Sequence, residues 1–162
     1  FISLIAAFIS ASVMAMFEEQ LGKLVALAVL APIVASQGGN AATQTMTVAV
    51  RALGTGELGG WNMGRFFRRE MIVGVLNGVA FALITALVAG FWFGNPMLGV
   101  VIGLAMVATL IIAALAGVAV PLALDKAGID PAISSGTFVT TITDVVGFFS
   151  FLGIATLLLR FT

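Results

Sequence analysis

The sequence predicts an all-α, polytopic membrane protein with five transmembrane helices, and three observations carry that prediction. Hydrophobic residues make up 61% of the 162-residue chain and charged residues 9%, with a mean hydropathy of +1.22; soluble domains run at about 45–50% apolar and about 25% charged. Long apolar stretches recur between charges, all but the first longer than the roughly 20 residues that cross a hydrocarbon core of about 30 Å. The segments between them are turn-rich or charged.

The first stretch, residues 1–17, stops at Glu18-Glu19. It is short, opens without Met and has no basic n-region, so it reads as a span cut from a longer protein rather than as a signal peptide. The second stretch covers 21–53, the third 70–93, the fourth 97–124 and the fifth 131–159. They read as one membrane domain over 1–162. Arg51, Arg65, Arg68, Arg69 and Lys126 gather on one side of this arrangement, Lys23 and Arg160 on the other. The positive-inside rule makes the first group cytoplasmic, so the chain is expected to start inside and end outside. Gly59-Gly60-Trp61 and Arg65–Arg69 are expected along the inner interface, where an indole and snorkelling guanidiniums are both comfortable.

Seven acidic residues balance seven basic ones. No basic field remains to hold nucleic acid. Without Cys or His, thiolate chemistry, imidazole bases and soft metal ligands are excluded, and a bound metal must be held by oxygen. Intramembrane proteolysis needs paired aspartates or a Ser/His arrangement, so an enzyme is not expected.

Two spans are too polar for lipid. In the second, Pro32 is followed by Ser36, Gln37, Gly38, Gly39, Asn40, Thr43, Gln44, Thr45 and Thr47. Pro and Gly-Gly at mid-depth are expected to weaken the helix, which is tolerated only against protein or a watery cavity. Gly39, Thr43 and Thr47 recur at i, i+4 and i+8, beside Ser36 and Asn40, as one stripe. That stripe reads equally as a small-residue packing seam. In the fifth span, Asp144 is the one ionisable side chain near the middle of any stretch, 13 residues past Pro131 and so roughly 20 Å along the helix. An aspartate at that depth costs roughly 2.5–3.5 kcal/mol. No Lys or Arg lies at matching depth, leaving water, a cation or protonation to offset it. Thr137, Thr140, Thr141 and Gly147 share its face, so it is either an oxygen-lined charged site or a neutral Asp bonded to threonines. Asn77, Thr85 and Thr109 are isolated and are expected to make one interhelical hydrogen bond each. Pro121 lies near the inner end of the fourth span, where a kink costs little.

A carboxylate among hydroxyls and carbonyls is a hard-oxygen site, suited to Mg²⁺, Ca²⁺, Mn²⁺ or Na⁺. One Asp per chain is thin for a divalent ion, whereas a homodimer places two carboxylates in one pore. The chain also resembles a known family. Phe17-Glu18-Glu19, Pro32 followed by Gly38-Gly39-Asn40-Ala41-Ala42-Thr43-Gln44, Arg51-Ala52-Leu53, Asp130-Pro131-Ala132 and Thr140-Thr141-Ile142-Thr143-Asp144-Val145-Val146-Gly147 together resemble the membrane domain of MgtE-type magnesium channels and their solute-carrier relatives. The resemblance implies a homodimer of five-span protomers in a bacterial inner membrane, with a pore lined by the second and fifth helices. It implies Mg²⁺ held through water near Asp144, with backbone oxygens of Thr140 and Gly147 close to the ion. Gly39, Asn40, Thr43 and Thr47 would form the other wall, with Gly136 and Thr137 further along the pore. The family commonly has Gly where this chain has Ala42, and often Asn where it has Thr43. Its members carry a cytoplasmic regulatory domain ahead of the membrane part, which would dock near the inner mouth; Asp125 and Asp130 read either as that docking surface or as turn and cap residues.

Two transport mechanisms are compatible with these residues. One is a channel for Mg²⁺, with Mn²⁺, Ca²⁺ or Co²⁺ as other candidate ions. The other is a secondary transporter in which Asp144 couples H⁺ or Na⁺ to a substrate. A structural scaffold, the third reading, requires Asp144 to be dispensable.

Overall fold

The computed structural model describes residues 1–57 and 61–159. Gly59, Gly60 and Arg160, placed at the interfaces from sequence, lie outside the described residues, as does the Trp61 side chain. The described elements are six helices: α1 (Ile2–Ala15), α2 (Glu18–Lys23), α3 (Val25–Gly54), α4 (Trp61–Trp92), α5 (Pro96–Lys126) and α6 (Pro131–Leu158). Four of them, α3 to α6, are long and apolar enough to cross a membrane. α1 has 14 residues, about 21 Å of helix against a core of about 30 Å.

The turns follow from local chemistry. Gly94 and Gly128 take positive φ (60° and 73°), and each is followed within three residues by a proline that opens a helix, where its missing N–H costs nothing. Asn95 Oδ1 accepts from the amides of Met97 (3.0 Å) and Leu98 (3.4 Å). Asp130 Oδ1 accepts from Ala132 N at 2.9 Å, a helix cap.

Two expectations are corrected. The second stretch, expected from residue 21, opens later as α3, and residues 18–23 are a short helix of their own, ended by extended Leu24; on it Lys23 Nζ donates to Glu19 at 2.7 Å and holds that carboxyl below its ordinary range. α4 begins at Trp61, not near residue 70, so Arg65, Arg68 and Arg69 lie on its opening turns. Arginine is a good helix former, and its exposed head needs only an aqueous edge. α3 runs as one helix through Pro32 and Gly38-Gly39, as a single second span requires, with Gly38 packed closely on Thr109.

α5 is the hub, packed against α3, α4 and α6, while α1 leans on α6. Leu27, Leu30 and Val34 of α3 meet Leu98, Ile102, Met106 and Leu110 of α5 and Phe151 and Leu152 of α6 in one buried core. Leu76, Leu83, Ile84, Leu87 and Val88 of α4 face outward, as suits a helix against acyl chains.

Glycines bring these helices together. A Cβ on Gly38 would sit 2.6 Å from Thr109 Cγ2; one on Gly117 would sit 2.8 Å from the Ala42 carbonyl oxygen; one on Gly147 would sit 3.0 Å from Ala35 Cα. Such small-residue contacts are how membrane helices associate where no hydrophobic force acts between them. Gly117→Ala, whose new methyl meets backbone, is expected to destabilise by about 1–3 kcal/mol. Gly22→Ala, with open space around it, is expected to be neutral or stabilising. Thermal unfolding of both variants in detergent checks the pair.

Candidate functional site

Asp144 stands midway along the 28-residue α6. It lines a groove of about 400 Å³ whose walls are Gly136, Thr137, Thr140 and Thr141 of α6 and Ser3, Ala6 and Ala7 of α1. Asp144 is half-buried there, and among the described residues nothing donates a hydrogen bond to it or pairs with its charge. The threonines are therefore not its partners. Thr140 Oγ1 donates to the Gly136 carbonyl at 3.0 Å and Thr141 Oγ1 to the Thr137 carbonyl at 2.6 Å, both one turn back on α6.

That bonding decides what the groove presents. With each of these two hydroxyl protons committed to the helix, what remains toward the groove is oxygen lone pairs beside a carboxylate. The carboxylate and these two oxygens accept and do not donate, while the Ser3 and Thr137 hydroxyls in the same lining keep their protons free. These acceptors suit a cation, or the outward-pointing hydrogens of a cation's water shell.

The polar stripe of α3 is also on the outside of the protomer. Ser36, Asn40, Thr43 and Thr47 are exposed, with Thr43 donating to Gly39 O and Thr47 to Thr43 O, each at 2.8 Å. These residues do not line the Asp144 groove within one chain. The two polar faces adjoin where Gly39 approaches Thr143, whose Oγ1 would lie 3.8 Å from a Cβ there. Gly38, one residue back, is buried between Thr109 and Thr143, so the packing seam and the polar stripe are neighbouring faces of one helix.

Gly147 is placed apart from Asp144's groove. It is buried against Ala35 at the α3–α6 crossing, and its carbonyl accepts from Ser150 Oγ at 3.3 Å. Of the isolated polar residues, Thr109 does bond across helices, to Ser150 Oγ at 3.2 Å. Thr85 instead bonds its own helix at Phe81 O, 2.8 Å away, and Asn77 has no hydrogen bond among the described residues. Ser3, Ala6 and Ala7 are groove walls that the sequence reading missed; the spacing of small residues along one face of the first helix was the available signal.

Residues 31–154 match the family MgtE, described as a divalent cation transporter. The chain belongs to the MgtE family. Proteins named magnesium transporter MgtE match it at 36% identity from Enterococcus faecalis, Bacillus subtilis and Thermus thermophilus, over 94%, 91% and 94% of this chain. The MgtE-family chain spans about a third of the length of these relatives (34%, 33% and 34%). Membership agrees with four membrane-length helices. The Thr109–Ser150 bond, in turn, braces α5 against the half of α6 that follows Asp144. Thr109→Val is expected to cost about 0.5–1 kcal/mol, read as a lowered melting temperature in detergent.

Proposed function

We propose that this chain is the conducting part of a Mg²⁺ channel. Two copies related by a two-fold axis join through the exposed polar faces of α3 and α6, with α1 as a fifth, short span in each. The observation that carries this reading is Asp144: a carboxylate at half-depth, without a protein partner among the described residues, on a groove where Thr140 and Thr141 have given their hydroxyl protons to their own helix.

A lipid-facing fate for that surface costs several kcal/mol per protomer. Pairing two copies removes it from lipid and gathers two negative charges, which match one divalent ion. Mg²⁺ keeps its water reluctantly shed. A hydrated ion would thus be held through its waters by Asp144, Thr140 and Thr137 on one wall and by Asn40, Thr43 and Thr47 on the other. The exposed Arg51, Arg65, Arg68, Arg69 and Lys126 set the end shared by α3, α4, α5 and α6 toward the cytoplasm. That orientation places the N-terminus inside and the C-terminus outside a bacterial inner membrane.

Asp144→Asn keeps the shape and removes the charge. Mg²⁺ uptake into liposomes is expected to fall by roughly 100-fold, the rate equivalent of about 2.7 kcal/mol, with the oligomer intact on sizing. Undiminished uptake overturns the assignment. Uptake that stops without an H⁺ or Na⁺ gradient makes Asp144 a coupling site in a secondary transporter instead.

The dimer has its own test, helped by the absence of native cysteine. Single substitutions Asn40→Cys and Thr43→Cys are expected to form disulfide-linked dimers on mild oxidation. Leu83→Cys, on the outward face of α4, is expected to stay monomeric under the same treatment.

A further inference from the structure

A second polar opening lies away from Asp144, between α3, α4 and α5. It is a crevice of about 230 Å³. Glu70 and Asn77, two turns apart on one face of α4, line it together with Gln44 and Thr45 of α3. Arg69 also lines it. Its floor is closed where Gly74 meets α5, since a Cβ there would lie 2.7 Å from that of Ala114 and 3.3 Å from the Leu110 carbonyl oxygen.

Glu70 is 7% exposed. Among the described residues, its carboxylate accepts no hydrogen bond and lies outside ion-pair range of Arg69, and the amides of Gln44 and Asn77 are equally without partners. That carboxylate, with no hydrogen-bond donor and no ion pair of its own, shares the crevice with two amide oxygens that the protein does not use. At about 30 Å³ per water, the space holds roughly seven or eight water molecules, enough for a small ion with six waters around it.

We propose that this crevice is a second cation site, separate from Asp144, taking a hydrated hard divalent cation through Glu70 and the amide oxygens of Gln44 and Asn77. The ion supplies the positive charge that Glu70 lacks, and its waters supply donors to all three oxygens. Arg69 opposes the ion electrostatically without neutralising Glu70.

The site is tested with Mn²⁺ as probe, counted by electron paramagnetic resonance on the purified chain carrying Asp144→Asn, which silences the groove. One Mn²⁺ per chain is expected to remain and to be displaced by Mg²⁺. Adding Glu70→Gln is expected to raise the Kd by at least about tenfold, and adding Asn77→Ala to raise it by a smaller factor. Arg69→Gln is expected to tighten binding; weaker binding in that variant would mark the crevice as an anion site and overturn the proposal. So would loss of all Mn²⁺ with Asp144→Asn alone, or an unchanged Kd in both the Glu70 and Asn77 variants. Should Glu70→Gln fail to fold, Asn77→Ala decides. Because the readout is binding and not flux, its result is independent of whether Asp144 conducts.

Discussion

The close approach of α3, α5 and α6 is the constraint on which the rest depends. Gly38, Gly117 and Gly147 let backbones and side chains meet at distances that a methyl group would forbid, and one apolar face of each helix goes into that contact. What is left on the outside of α3 and α6 is an apolar part, with Val29 and Ile33 or Phe138 and Ile142, and beside it a polar stripe. A helix has one circumference, so once Leu27, Leu30 and Val34 point inward, Ser36, Asn40, Thr43 and Thr47 must point out of the protomer. The same geometry turns Thr137, Thr140 and Asp144 away from α5. The packing thus creates the site by exclusion.

The chemistry of that excluded surface is set by where hydroxyl protons go. A threonine in a membrane helix donates to a carbonyl one turn back, as Thr43, Thr47, Thr140 and Thr141 do. Its second role is then confined to acceptance. A set of acceptors around a carboxylate repels anions and binds neutral donors weakly; it favours cations, and strongly hydrated ones most, because their waters bring polarised donors. Selection for a divalent ion would then arise from charge and hydration rather than from a cage of close-fitting ligands.

Much of this was legible in the sequence, and the misses have physical causes. Asp144 stood out because one ionisable residue in a long apolar stretch has few bland explanations. The spans of α5 and α6 came within two residues of their helices, since Asn95-Pro96 and Asp130-Pro131 combine a cap with a fixed φ. The start of α4 was missed by nine residues because arginine interrupts hydropathy without interrupting a helix. Gly38-Gly39 pointed to a weakened helix; the helix is continuous there, with Gly38 close against Thr109. Glycine periodicity alone does not say whether the small face meets another helix or a pore; Gly38 and Gly147 do the first, and Asn40, one turn from Ser36, faces outward. Glu70 was read as the edge of a span, since no linear pattern shows that α3 and α5 close around it.

The electrostatics of the proposed dimer make its ion part of the architecture. At an effective dielectric of about 20, two carboxylates roughly 8 Å apart repel by about 2 kcal/mol, and each also loses hydration. A divalent ion between them reverses the sign of the balance, so an occupied pore is more cohesive than an empty one. Conduction requires that this gain stay small enough for the ion to leave. Holding the ion through water satisfies both demands: the shell spreads the charge over several weak hydrogen bonds, none of which must be broken outright before the next is made. The groove walls of α1, leaning chiefly on α6 and anchored at their far end by the Phe17–Phe149 ring contact, are the part of the site least held by the core. In the proposed channel, a displacement of α1 would change the space beside Asp144 without disturbing the glycine contacts between α3, α5 and α6.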